Sequence, residues 1–210
     1  MLKRVATILL MGFLATCTPP AKYVRQVVPE AAVIDVDVYV DSQFTDRERA
    51  NIVNAITMWR RSLRGYMTWH VMDFDPNVPP NPPVVSMDDL EKRVVVFHRA
   101  SADADWVKEW DAKHVKEKTW ILGNCQNSDR TKVIDIKLIE SRLVNDDMET
   151  IIAAHEFGHA MGMDHVKDEA STLSAHYVPS NRCITPFDLN EFCDKHHCDV
   201  AGLVSSCVDI

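Results

Sequence analysis

The 210-residue chain has the length of one domain with a short appendage, and 46% hydrophobic residues suffice for a buried core. Its formal net charge is −8, with no basic run interleaved with aromatics, which disfavours a general nucleic-acid-binding role.

The N-terminus has the pattern of an export signal. Lys3 and Arg4 form a positive start, and Val5 to Ala15 is apolar but too short for an ordinary membrane-spanning helix. Leu14-Ala15-Thr16-Cys17 resembles a bacterial lipobox, whose cysteine becomes the lipid-bearing first residue. Thr16 departs from the usual Gly, Ala or Ser. Residues 1–16 are thus expected to be a signal peptide. The product is lipid-anchored at Cys17 in the cell envelope, or soluble and secreted after cleavage nearby. Residues 17–30, with Pro19, Pro20 and Pro29, read as a tether. Residues 31–210 read as the folded domain, ending in a cysteine-rich tail.

From Val33 to Asp41 apolar and acidic residues largely alternate, which predicts a strand with one buried face. Thr45 and Glu48 form a capping-box pair for a helix from about Asp46 to Leu63. Its expected apolar side is Ala50, Ile52, Val53, Ile56, Trp59 and Leu63, with Gly65 as the stop. Tyr66 to Phe74 reads as a second strand. Five prolines in residues 75–85 make a stiff surface loop. A short helical turn is expected at Met87 to Lys92 and a compact strand at Arg93 to Phe97. Ala102 to Lys116 is a helical excursion with Trp106 and Trp110. These indoles either pack the excursion or form an aromatic wall facing a ligand. Lys118–Cys125 and Lys132–Ile139 read as two strands joined by a polar turn, Gln126 to Arg130. Asp146 or Asp147 is the expected cap of the next helix, with Met148, Ile151, Ile152 and Ala154 toward the core.

That helix carries His155-Glu156-Phe157-Gly158-His159, followed by Gly162 and His165. On a helix, His155 and His159 lie one turn apart and about 40° apart around the axis, so both imidazoles can hold one zinc ion. Gly162 can adopt the left-handed conformation that ends the helix and lets His165 return as third ligand. Three protein ligands leave one position for water, which marks a catalytic zinc site. Glu156, on the flank of that face, can take a proton from that water.

The stretch resembles the long zinc signature of the metzincin metallopeptidases, H-E-x-x-H-x-x-G-x-x-H. The resemblance implies an α+β metzincin-like fold of bacterial matrixin-like kind. It has a twisted mixed sheet, an active-site helix and a small C-terminal subdomain. It also implies one catalytic Zn2+ on His155, His159 and His165, with Glu156 as catalytic base. In that fold the fourth strand lies at the sheet edge and binds peptide by strand addition, so 119–125 is the candidate edge. Relatives carry a methionine turn beneath the zinc. Here Ser171-Thr172-Leu173-Ser174 stands in its place, with Leu173 at the methionine position. Some relatives add a tyrosine two residues later, where this chain has Ala175. His176 and Tyr177 either line the pocket for the residue after the scissile bond or sit in an exposed loop.

Thr185 and Pro186 open a closing helix. Of six cysteines, four lie from Cys183 onward, and export favours disulfides among them. Cys193 and Cys198 pair, or form a second metal site with His196 or His197. The pairs Asp73/Asp75 and Asp103/Asp105 are either calcium ligands, as in relatives, or solvated loop charges. The leading functional reading is a monomeric zinc endopeptidase acting on protein or peptide. The alternative is a non-catalytic, zinc-stabilised envelope lipoprotein that binds another protein.

Overall fold

The computed structural model describes residues 34–73, 92–116, 120–127 and 133–208. The expected signal, the tether with Cys17, the proline-rich loop, residues 87–91 and Asp75 lie outside them.

β1 (Ile34–Val40) buries Val36, Val38 and Val40, as its alternation predicts. α1 (Asp46–Leu63) starts on the expected capping box. Glu48 N–H donates to Thr45 Oγ1 and Thr45 N–H to Glu48 Oε2. It ends on Arg64 and Gly65, both with positive φ. Its buried stripe is Ile52, Ala55, Ile56, Trp59 and Leu63. Ala50 is exposed and Val53 only half-buried. The helical period places Ala50 about 200° from Ile52, on the far side of the stripe.

β2 (Met67–Asp73), β3 (Lys92–Arg99), β4 (Gly123–Asn127) and β5 (Val133–Leu138) join β1 in a five-stranded sheet ordered β2-β1-β3-β5-β4. All pairs are parallel except β4 with β5. The result is the expected α+β fold with a mixed sheet, and β4 forms one edge. The predicted strand at 118–125 starts later than expected. Trp120 to Leu122 form its run-in, fixed by Ile139 N–H donating to Leu122 O and by Arg142 donating to Ile121 O. Gln126 and Asn127, expected in the turn, belong to the strand.

α2 (Asp105–His114) lies between β3 and β4 and buries Val107. A short 3-10 turn, Glu140–Arg142, leads to α3 (Asp146–Ala160). The cap of α3 is Asn145, not Asp146 or Asp147. Asn145 Oδ1 accepts Met148 N–H at 2.8 Å. The two aspartates occupy the first turn, where their charge opposes the positive helix end. α3 packs on α1, and Trp59 Nε1 donates to Ala154 O at 2.8 Å. The helix is buried nearly all round, including Glu149, Thr150 and Glu156.

After α3 come β6 (Cys183–Ile184), α4 (Pro186–His196) and β7 (Ser206–Cys207). Disulfides join Cys183 to Cys207 across the β6–β7 ladder and Cys193 to Cys198 at the end of α4. The second metal site is therefore excluded: both sulfurs are bonded to each other. His196 Nε2 instead donates to Met161 O at 2.8 Å.

Candidate metal centre and cleft

The last two turns of α3 carry His155 and His159, and the loop after Gly162 carries His165. Gly162 has φ +88, the left-handed turn expected of it. Two side chains hold this helix end. Arg93 Nη1 donates to Ala160 O at 2.7 Å, and His196 donates to Met161 O. The loop is tied to α4 through Lys195 and Asp164 at 2.6 Å.

The three Nε2 atoms converge: His155 to His159 is 3.1 Å, His159 to His165 is 3.2 Å and His165 to His155 is 3.3 Å. His155 Nδ1 donates to Thr172 O and His159 Nδ1 to Met163 O, each at 2.8 Å. A carbonyl only accepts, so Nδ1 carries the proton in both rings and Nε2 presents a lone pair. Burial, reinforced by His159, holds His155 down at about 3, so that ring is neutral. Burial also lowers His165. With the His155 and His159 lone pairs aimed at His165 Nε2 across a shared centre, the three atoms have the geometry of a ligand set. Zinc–nitrogen bonds of about 2.0–2.1 Å at tetrahedral angles separate ligand nitrogens by about 3.3 Å, so the triad fits the ion. Among the described residues this is the one group of three or more such side chains close enough to share a metal.

Glu156 is 6% exposed, and burial pushes its carboxyl up to about 8. A cation at the triad would favour its ionised form. The carboxylate lies against β4 at Gly123: a Cβ built there would sit 2.7 Å from Glu156 Oε1. Triad, Glu156 and β4 line a cleft of about 1110 Å³ that also includes Met148, Ile151, Ile152 and Tyr177. Met148 faces the core as expected and, half-buried, also forms part of the cleft wall.

Beneath the triad runs the turn Ser171 to Ser174. Leu173 is fully buried and meets Gly158 of α3, where a Cβ would lie 2.5 Å from Leu173 Cδ2. Asp188, also fully buried, holds the turn. It accepts from Ser171 Oγ, from Leu173 N–H at 2.9 Å and from Thr172 N–H at 3.2 Å. Its other partners are Thr185 N–H and Oγ1, each at 2.7 Å.

Residues 96–191 match the family model of the matrixin peptidases. The matched segment, which holds the triad and Glu156, is of the metzincin metallopeptidase type. No curated protein matches the chain in sequence. Two solved structures are similar to this chain. Archaemetzincin from Methanopyrus kandleri is 11% identical over 74% of this chain and 87% of that one, with a TM-score of 0.41. Metalloproteinase-II from Bacteroides fragilis is 15% identical over 74% of this chain and 49% of that one, with a TM-score of 0.42.

The expected triad and Glu156 lie together, and His176 and Tyr177 both line the cleft. Sequence reading missed Gly123, Asp188 and Arg93. A glycine inside a strand signals close approach, and Thr185-x-x-Asp188 has capping-box spacing, so two of the three left a trace. Arg93 left none.

Proposed function

We propose that the protein is a zinc-dependent endopeptidase, with His155, His159 and His165 as metal ligands and Glu156 as general base. The observation that carries this reading is the convergence of three Nε2 atoms beside a buried carboxylate in an open cleft. Bound zinc would lower the pKa of a water in its open position and polarise the scissile carbonyl.

The chain's own residues supply the rest. Thr172 O and Met163 O fix the imidazole tautomers. The edge of β4 offers unpaired backbone groups to an extended peptide, which supports cleavage within a chain rather than only at its end. Glu156 accepts the proton of the attacking water and passes it to the leaving amine. Residues 1–33 carry the proposal of export, by signal at 1–16 and lipid attachment at Cys17 or secretion.

The test is incubation of the zinc-loaded protein with a diverse peptide library, with cut sites read by mass spectrometry. Internal cuts are expected from the wild type and none from Glu156→Ala, with metal content equal. Cuts surviving in Glu156→Ala would sink the mechanism. Absence of cuts in both, with one zinc per chain, would favour a protein-binding role.

A further inference from the structure

The cleft has a second built feature, where α2 and the run-in to β4 line it. α2 presents Trp110 and His114, one turn apart and stacked at 3.9 Å between centroids with a 20° interplanar angle. His114 Nδ1 donates to Trp110 O at 2.8 Å, which pins the imidazole. The run-in to β4 presents Trp120, a residue 65% exposed. All three rings line the same cleft as Glu156 and the triad.

These rings are held, not merely left out. Arg142 links the two elements that carry them. It forms a two-pronged ion pair with Asp111 of α2 and donates to Ile121 O at 2.8 Å. The two side chains are only 15% and 19% exposed, so the bridge is shielded from solvent. The Arg142 guanidinium also lies 5.3 Å from the Trp120 ring centroid. One Trp120 face is thus supported while most of the residue meets water. A rigid exposed aromatic surface at the end of a binding edge suits a partner ring, because aromatic pairs gain more than their buried area alone.

Given the reading of the cleft as a peptide-cleaving site, we infer that Trp110, His114 and Trp120 form a subsite for an aromatic side chain of the substrate, with Arg142 and Asp111 as positioning residues. Gly123 marks the level of Glu156 on β4, and Trp120 lies three residues earlier in the chain. At about 3.3 Å per extended residue, the aromatic side chain sits within about three residues of the cut.

Two arms test the inference separately from catalysis. In the first, the Glu156→Ala protein is titrated with end-labelled decapeptides in which one phenylalanine is scanned along an alanine-rich frame, each beside its leucine counterpart. Phenylalanine at one position should lower Kd about fivefold relative to leucine. Trp120→Ala should remove that difference and Trp120→Phe should keep most of it; the exposure of Trp120 leaves folding intact, checked by thermal unfolding. Equal binding of the two peptide sets, or a Trp120→Ala protein that still prefers phenylalanine, would overturn the subsite. In the second arm the cut sites of the active protein are aligned. Cleavage without aromatic enrichment near the cut retains the peptidase and rejects the subsite. Aromatic preference in binding with no cleavage retains the subsite and rejects the peptidase.

Discussion

Gly123 and Glu156 occupy one another's space: a Cβ on the first would lie 2.7 Å from Oε1 of the second and 2.8 Å from its Cγ. The edge strand and the proposed base are therefore fitted as a pair. Gly123→Ala should push the carboxylate off its position while leaving the histidines untouched. A displacement of about 1 Å at a reacting group costs roughly a hundredfold in rate. The expected result is kcat down about a hundredfold, zinc content unchanged and the midpoint of unfolding nearly unmoved. Loss of bound zinc in the variant would show that the strand supports the metal ligands rather than Glu156.

Asp188 ties two stretches together from a fully buried position: the turn under the triad and the Thr185 cap that opens α4. Replacing it by alanine strands the N–H groups of Thr172 and Thr185 and the hydroxyl of Ser171, while Leu173 N–H keeps Ser171 Oγ at 2.9 Å. Each buried unmade bond costs about 1–3 kcal/mol, and water entering the space recovers part of the total. Asp188→Ala should lose about 3–5 kcal/mol in denaturant unfolding. It should also weaken zinc affinity, because Thr172 O orients His155. A variant with wild-type zinc affinity would separate the turn from the ligand set.

The metal-ligating pattern was legible because it is local: five positions on one helix and the turn after it. The first strand, α1 with its capping box and the closing helix were legible for the same reason, since alternation, Thr45–Glu48 and Thr185–Pro186 act within a few residues. What the chain hid was set by distant partners. The strand at 118–125 slides to Gly123–Asn127 because its pairing with β5 decides where the ladder begins. Met148 packs against the core as its period predicts, but it is only half-buried because it also lines the cleft. Arg93 looks like any strand cation until β3 is laid beside the end of α3.

Leu173 fills the position where relatives carry methionine, and its contact with Gly158 is close enough to forbid a side chain there. Leucine and methionine are near in volume, so Leu173→Met should cost under about 1.5 kcal/mol and leave activity within a few-fold. Gly158→Ala should be far worse: its Cβ would meet Leu173 Cδ2 at 2.5 Å and Trp59 Cζ2 at 3.2 Å. Overpacking of this kind costs about 1–3 kcal/mol or more. Thermal unfolding of the two variants checks the contrast. A Gly158→Ala protein as stable as Leu173→Met would mean that the helix and the turn move apart freely.

Glu140, in the turn before α3, gives the fold a pH dependence of definite sign. Burial, then the nearby carboxylates of Glu149 and Glu48, push its carboxyl from 4.5 up to about 8, against the opposing pull of Arg99. Among the described residues its Oε1 has no hydrogen-bond partner, and neither has Oε1 of Glu149. The folded pKa lies above the unfolded one, so between the two the folded state binds the extra proton. Stability from this group is complete below about pH 4.5 and is lost as pH rises toward 8. The side chain is half-buried, so screening reduces the effect to about 1–2 kcal/mol. Glu140→Gln removes the titration and keeps the shape. Against the wild type, it should be more stable by about 1–2 kcal/mol at pH 8 and lose that advantage near pH 4.5. Urea midpoints of both proteins across that range read the difference directly, since every other group titrates in both. A constant offset at all pH values would mean that Glu140 stays ionised in the fold.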